Sequence, residues 1–245
     1  MPIFSRRRSY AEAFEERRRF GKVALLVLLF FLCFETVTTL FLAAYSAGSS
    51  AMAPTILPGD VVLAAPIAYG ARTIFGKLPG TSHPERGDLV VADPPYVVTP
   101  GFFGRIADSF VRFVTFQRLS IYDSADPIRQ GATFQRVIGV PGDTVLMEDF
   151  VYKVKPAGSQ HFLTEFELSA RRYDIAKESL PEGWKDDMPG SGAMVPRLLG
   201  ADEYFLAGDS RSASEGSRLW GPVKRDRILA KALLRYWPFK RFGAL

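Results

Sequence analysis

Two adjacent serines, Ser49 and Ser50, are the first candidates for chemistry, because they stand between an apolar segment and a turn. A serine hydroxyl is a weak nucleophile and attacks a carbonyl only when a neighbouring base takes its proton. Histidine is the usual base, but neither His83 nor His161 lies in a recognisable motif. The residues alone therefore give no serine–histidine site.

Metal and nucleic-acid chemistry are not expected. The only cysteine is Cys33, so no intramolecular disulfide forms, and a structural zinc site would need four Cys or His ligands. We predict no metal and no cofactor.

Residues 1–22 contribute +4 of the net charge of +5, so the basic charge is local to this tail. A nucleic-acid-binding protein more often carries a basic stripe on its folded domain, and we predict no nucleic-acid partner.

Residues 23–45 form an apolar segment whose only charge is Glu35. It is long enough to cross a bilayer, which takes about 20 residues. It is also longer than the apolar region of about 7–15 residues in a cleavable signal peptide. Basic residues precede it and none follows directly, which places the tail in the cytoplasm and residues 46–245 outside. Glu35 either lies near the outer end of the helix or contacts another membrane helix.

The rest of the chain is typical of a mainly β fold. Short runs rich in β-branched residues are bounded by turn residues. The runs are residues 61–63, 89–91, 136–138 and 144–147, and X-Gly-Asp turns end at Asp60, Asp88 and Asp143. Residues 102–119 differ, because their apolar residues have helical spacing and predict an amphipathic helix. Residues from about 152 to 202 are rich in Gly, Pro and charge and predict a loop-rich lobe outside the core.

Four blocks of sequence, in this order, resemble the conserved boxes of bacterial type I signal peptidases (signal peptidase I, S26 family). The blocks are SSAMAPTILPGD (49–60), RGDLVV (86–91), QRVIGVPGD (135–143) and GDSRSASEGSRLWG (208–221). They match the family's S-x-S-M-x-P-T-L-x-x-G-D, R-G-D, K-R-x-x-G-x-P-G-D and G-D-N-R-D-N-S-x-D-S-R-x-W-G without gaps. A single R-G-D or P-G-D would carry no weight, whereas four ordered blocks after an apolar segment are specific.

The resemblance implies a β-rich periplasmic domain on one N-terminal transmembrane helix in the bacterial inner membrane. It implies signal peptides of exported preproteins as ligands, bound in extended form by strand addition. It also implies small pockets for Ala-x-Ala-type residues. Five positions match those that line the family's pockets: Ala47, Met52, Ile56, Thr133 and Phe134. Helix 102–119 falls in an insertion between the second and third blocks, where it would suit the membrane interface, a partner's groove or its own β domain.

The family's two catalytic positions hold other residues here. The resemblance implies a serine nucleophile and a lysine general base, and the matching positions are Ala51 and Gln135. A methyl group cannot attack a carbonyl, and an amide is not a base near neutral pH. Ser49 and Ser214 match supporting positions, Ser49 being the hydroxyl that helps to stabilise the oxyanion. The position of the family's last aspartate in the fourth block holds Gly216 here.

These replacements favour an inactive, membrane-anchored homologue that binds signal peptides or partners an active signal peptidase. One alternative is an active enzyme in which Ser50 shifts forward as the nucleophile. Its base would still be missing, because Arg136 stays protonated. The other alternative is a structural membrane protein that uses only the fold. An engineered Ser-to-Ala trap would not explain Gln135 and Gly216 as well.

Overall fold

A computed structural model describes residues 10–73, 76–96, 101–115, 121, 132–177, 183, 188, 191–212 and 214–245. The helices are α1 (Tyr10–Leu40), α2 (Phe102–Val114), α3 (Glu165–Leu168) and α4 (Ser217–Trp220). Short 3-10 helices lie at Pro66–Ala68, Arg225–Arg227 and Phe239–Arg241. Part of the predicted basic tail (residues 1–9), the end of the predicted second helix (116–119) and parts of the predicted loop-rich lobe lie outside the described residues.

The strands are short, as the many turn residues predict. In chain order they are β1 (Ala43–Ser46), β2 (Val61–Ala65), β3 (Arg72–Thr73), β4 (Gly76–Lys77), β5 (Leu89–Ala92), β6 (Thr133–Gly139), β7 (Thr144–Glu148), β8 (Val151–Lys155), β9 (Leu163–Thr164), β10 (Met194–Leu198), β11 (Glu203–Ala207), β12 (Val223–Lys224), β13 (Ile228–Trp237) and β14 (Gly243–Ala244). The prediction of a mainly β chain with an apolar N-terminal helix is confirmed.

The strands form one large sheet and two smaller ones. The large sheet has the order β1-β2-β13-β5-β6-β11-β12, with β14 also paired to β13. A second sheet has the order β10-β7-β8-β9, and β3 pairs with β4. Every strand pair in the described residues is antiparallel. Strand β13 is the longest and holds β2 and β5 on its two sides.

The three predicted X-Gly-Asp turns share one geometry. In the first, Gly59 has φ +86°, and the Asp60 carboxylate accepts a 2.9 Å hydrogen bond from the Leu57 N–H. Glycine adopts positive φ without steric cost, which explains its place here. The other two turns repeat the pattern, with bonds from the Glu85 N–H to Asp88 at 3.0 Å and from the Val140 N–H to Asp143 at 2.9 Å. Each aspartate therefore fixes the turn that starts β2, β5 or β7.

Buried apolar residues lie on both faces of the large sheet. In β5, Leu89 and Val91 join one cluster, whereas Val90 joins another, as the alternation of side chains along a strand requires. A third cluster lies between the large and second sheets and includes Tyr152 and Val154 of β8. The expectation that residues 152–202 lie outside the core is therefore wrong at their start. The many charged and glycine residues of this segment predicted loops, but its first residues belong to strand β8, whose alternate side chains are buried.

Helix α1 begins and ends earlier than the predicted apolar segment. It runs to Leu40, and residues 43–46 already form β1, paired with β2. Its part from Glu16 to Leu40 is long and apolar enough to cross a membrane. The small residues Ala43 and Ala44, which we assigned to the apolar segment, form a strand because they pair with Leu63 and Ala64 of β2.

Candidate functional site

A small open cavity lies where the chain leaves β1 and where β6 begins. Its volume is about 30 Å³, close to the space that one water molecule or one methyl group fills. All five predicted pocket residues line it. The described residues that line it are Ser46, Ala47, Gly48, Ser49, Met52, Ile56, Ala132, Thr133 and Phe134. Folding therefore brings together two segments that lie far apart in the sequence.

The floor of the cavity belongs to the core. Met52 is 2% exposed and Ile56 is fully buried, and both pack in one cluster with Ala47 and Phe134. The Tyr45 ring supports Phe134 edge-on, with ring centroids 6.5 Å apart. No charged side chain is among the described residues that line the cavity, and the polar groups of those residues are hydroxyls and backbone. Such a surface suits a small neutral side chain better than an ion.

One edge of β6 is open beside the cavity. Strand β5 pairs with Thr133, Phe134 and Gln135 on one side. On the other side, β11 pairs with β6 only from Arg136 onward. In the part of the chain that the structure describes, no strand pairs with that other edge of residues 133–135. An extended peptide can add there by main-chain hydrogen bonds while a small side chain enters the cavity.

The backbone of Ala51 is held against the loop that follows β11. Its carbonyl accepts a 3.0 Å hydrogen bond from the Ser210 N–H. The approach needs glycine at position 208, because a Cβ there would lie 2.3 Å from the Ala51 oxygen and 2.4 Å from the Ser214 Cβ. Because the Ala51 oxygen and the Ser214 Cβ are both this close to one point, Ser214 lies beside the backbone at position 51, and its side chain is half-buried.

Gln135 is 1% exposed and its side chain is aimed at the same loop. Its Nε2 donates a 2.7 Å hydrogen bond to the Glu215 carbonyl, and its Oε1 has no hydrogen-bond partner among the described residues. A Cβ added at Gly216 would lie 3.6 Å from that Oε1. The side chain at position 135 thus faces the backbone at position 216, which is where the resemblance expects an aspartate.

Two buried ion pairs hold this loop in place. Arg136 donates to both oxygens of Asp209, from Nε at 2.8 Å and from Nη2 at 2.7 Å, and Thr55 donates to the same carboxylate. Burial acts to lower the pKa of Arg136, but the hydrogen bonds and charge of Asp209 outweigh it and raise that pKa. Arg136 therefore stays charged and cannot serve as a base.

The second pair joins the loop to the lobe after β8. The buried Glu165 accepts hydrogen bonds from Arg211, from the Tyr173 hydroxyl at 2.6 Å and from the Tyr152 N–H at 2.9 Å. The Arg136 guanidinium lies 3.7 Å from the centre of the Tyr173 ring. Burial, together with the charge of Glu165, raises the pKa of Tyr173 and keeps its hydroxyl a donor. The sequence did not predict this network, because Glu165 and Tyr173 stand in no motif.

The predicted serines take different places. Ser49 is exposed and lines the cavity, while Ser50 is exposed and does not line it. The lining residues that we did not predict, Ser46, Gly48 and Ala132, adjoin predicted ones, so proximity in sequence could have identified them.

No group of three or more His, Cys, Asp or Glu side chains that could hold a metal ion occurs in the described residues. The side chains at positions 51 and 135 supply neither a nucleophile nor a base.

Comparisons with known proteins agree with the resemblance. A family model described as "Signal peptidase, peptidase S26" matches residues 17–237. The chain is 24% identical over 197 residues to "Signal peptidase I" of Leptolyngbya laminosa, covering 80% of this chain and 70% of that protein. It is 25% identical over 198 residues to "Probable signal peptidase I-2" of Synechocystis sp., covering 80% and 64%. "Signal peptidase IB" of Staphylococcus aureus is 28% identical over 108 residues, covering 44% and 54%.

Proposed function

The chain belongs to the signal peptidase S26 family, and on that premise we propose that it is a non-catalytic member that binds signal peptides at the membrane or partners an active signal peptidase. The observation that carries the proposal is a contrast within one site. The cavity and a strand edge that is unpaired among the described residues suit an extended peptide, whereas Ala51 and Gln135 stand at the positions that match the family's nucleophile and base.

Binding and bond cleavage need different groups, which is why one can persist without the other. Peptide affinity in such a groove comes from strand hydrogen bonds and from filling small pockets. Neither requires a hydroxyl at position 51. Cleavage needs a nucleophile and a group that takes its proton. The buried Gln135 amide cannot take a proton near neutral pH, and its Nε2 is already bonded to Glu215.

The position of the cavity supports a membrane-bound ligand. Helix α1 ends at Leu40, and the first cavity residue, Ser46, follows six residues later. Six residues of extended chain span at most about 20 Å. A signal peptide that emerges from the same membrane would therefore find the cavity close to the surface. We propose that the basic tail lies in the cytoplasm and that residues 46–245 lie on the other side.

A binding measurement with a matched pair of variants tests the proposal. The full-length protein in detergent is titrated with a signal peptide that carries Ala-x-Ala before its cleavage point. Ser49→Trp places a large ring at the mouth of the cavity, where Ser49 is exposed and can be replaced without loss of packing. Excluding one methyl-sized side chain and crowding the groove should weaken binding by about tenfold, which corresponds to ~1.4 kcal/mol.

The control is Ser82→Trp, because Ser82 is also exposed but lies before β5, outside the cavity lining. It should bind as the unmodified protein does. Equal binding by both variants would place the peptide elsewhere. Absence of binding by the unmodified protein would favour the structural role.

A further inference from the structure

Helix α2 shows the reverse of the pattern expected for a helix on a soluble domain. All of the exposed side chains that the structure describes on it are apolar. These are Phe103, Ile106, Ala107, Phe110 and Val114, which follow one another at helical spacing and so form one stripe. Phe103 is 83% exposed and Phe110 is 60% exposed. An amphipathic helix normally turns such a stripe toward a core, so this apolar stripe requires an apolar environment outside the chain.

The other side of α2 packs against the membrane-length helix α1. The Phe113 ring lies edge-on to three rings of α1, with centroid distances of 5.7 Å to Phe30, 5.0 Å to Phe31 and 5.3 Å to Phe34. Aromatic pairs in this arrangement are favourable beyond the area that they bury. Phe113 therefore fixes α2 to the part of α1 around Phe31.

Two of the described polar side chains on α2, Ser109 and Arg112, interact with α1. The side chain of Glu35 on α1 is hydrogen-bonded to Ser109, and Arg112 supplies an opposite charge nearby. Arg112 itself pairs with Asp108 at 2.7 Å. Glu35, the one charge in the apolar segment, is thus partnered by α2. These described side chains interact with one another, as polar groups at membrane depth must.

The position along α1 gives the depth of α2. Phe30 is ten residues and Glu35 five residues before the end of α1 at Leu40. At a rise of 1.5 Å per residue, these contacts lie about 15 Å and about 7.5 Å from that end. The hydrocarbon layer of one leaflet is ~15 Å thick. If α1 crosses the bilayer, α2 must lie in the leaflet that the C-terminal half of α1 crosses, because it is attached there.

We infer that α2 is a second membrane element, embedded in that leaflet beside α1 with its apolar stripe in contact with lipid. Apolar residues of α1 such as Phe30 and Leu32 are also more than half exposed and would contact the same lipid. The domain is therefore held to the membrane at two places. The attachment limits rotation of the domain about the anchor, so the cavity keeps one orientation relative to the surface.

The test uses spin labels on the full-length protein in vesicles of phosphatidylethanolamine and phosphatidylglycerol. Cys33 is exposed and is first replaced by alanine. Single cysteines are then introduced as Phe110→Cys on the stripe and as Val195→Cys on β10, where Val195 is 80% exposed. Collision of each label with oxygen, which dissolves in lipid, is compared with collision with a water-soluble nickel chelate.

The label at position 110 should collide mainly with oxygen and be protected from the nickel chelate, and the label at position 195 should show the reverse. Phe103→Cys labels a second position on the stripe. Phe103 is more exposed than Phe110, so this variant is used if Phe110→Cys fails to fold. Exposure of both stripe labels to the nickel chelate would overturn the inference, since the stripe would face water. Protection from both reagents would also overturn it, since a protein would cover the stripe. Neither result depends on peptide binding.

Discussion

The side-chain amide of Gln135 donates a 2.7 Å hydrogen bond to the backbone carbonyl of Glu215. The bond is formed in a buried place, because Gln135 is 1% exposed. At the position where the family resemblance expects a catalytic base, the side chain therefore has a structural role and fastens the loop after β11. Buried hydrogen bonds of this kind are costly to break, since they leave a carbonyl unsatisfied.

Replacing Gln135 by glutamate should test that role, because the two side chains have the same shape. The new carboxylate, when ionised, would bring an acceptor against the Glu215 carbonyl, whereas the protonated carboxyl can still donate. We expect Gln135→Glu to lower the free energy of unfolding by roughly 1–3 kcal/mol at neutral pH. The loss should shrink in acid, because burial raises the pKa of a carboxyl and protonation restores the donor. Denaturant unfolding of the variant and of the unmodified protein, at neutral pH and in acid, measures the loss of stability. A loss that does not depend on pH would contradict the role of this hydrogen bond.

The Arg136–Asp209 pair predicts a larger effect. Its side chains are 5% and 0% exposed, and removing one member of a buried pair leaves an uncompensated charge. Asp209→Asn should lower the free energy of unfolding by about 3–5 kcal/mol. The control is Lys177→Met, which breaks a 3.1 Å pair with Asp149, itself 88% exposed, and should change stability by at most ~1 kcal/mol. Equal effects in denaturant unfolding would contradict the assigned role of the buried pair.

Tyr152 makes the protein sensitive to alkali. Burial raises the pKa of Tyr152 to about 12, above the value of about 10 in an unfolded chain. Stability that depends on the neutral phenol is thus complete below pH 10 and is lost as pH rises toward 12, because unfolding releases a proton. This residue contributes a slope of about 1.4 kcal/mol per pH unit in that window. Tyr152→Phe keeps the ring and should reduce the slope measured by unfolding between pH 10 and 12; an unchanged slope would show that other groups cause it.

Restoring the missing catalytic residues should require two changes at once. Ala51→Ser alone should give no measurable cleavage, because no base activates the hydroxyl. In subtilisin, loss of one essential residue costs about as much as loss of all, on the order of 10⁶ in rate. Ala51→Ser with Gln135→Lys should recover slow cleavage of a preprotein, seen by gel. Equal cleavage by the single and double variants would show that position 135 is not the place of the base.

Gly216→Asp, which would restore the family's aspartate as a third change, is expected to cost stability. A Cβ at Gly216 would lie 2.9 Å from the Leu206 carbonyl and 3.2 Å from the Ala207 Cα, so Gly216→Asp requires the backbone of β11 to move. We therefore expect it to destabilise the double variant, although it places a carboxylate near position 135. The sequence match could not show this steric conflict. The spacing of the fourth block is the same as in the family, but the space for a side chain at position 216 is filled by the backbone of β11.

Sequence patterns predicted local geometry well. The X-Gly-Asp turns follow from glycine's positive φ and an aspartate that accepts a nearby N–H, both of which are local effects. The ordered blocks also identified the cavity residues, because the spacing to the Met52 and Gly59 landmarks has no gap. Long-range contacts were not predictable. The partner of Glu35 is Ser109, 74 positions away, and Glu165 meets Arg211 only because the lobe folds back on the loop after β11.

Orientation in the membrane gives a separate prediction. The basic residues that precede the apolar segment predict a cytoplasmic tail. Protease added outside spheroplasts should digest residues 46–245 and spare only the tail and the anchor. Immunoblots against tags at the two ends record the result, and a cytoplasmic protein serves as the control for intact cells. Protection of the large domain would reverse the orientation.

A long incubation with a preprotein shows whether the site binds a signal peptide without cutting it. The unmodified full-length protein in detergent is mixed with a preprotein that carries an Ala-x-Ala signal peptide, and intact mass is followed by mass spectrometry. Ser50→Ala is run beside it, because Ser50 is the hydroxyl next to position 51 and does not line the cavity. We expect an intact preprotein in both samples. Turnover by the unmodified protein that Ser50→Ala abolishes would contradict it and would place the nucleophile at Ser50.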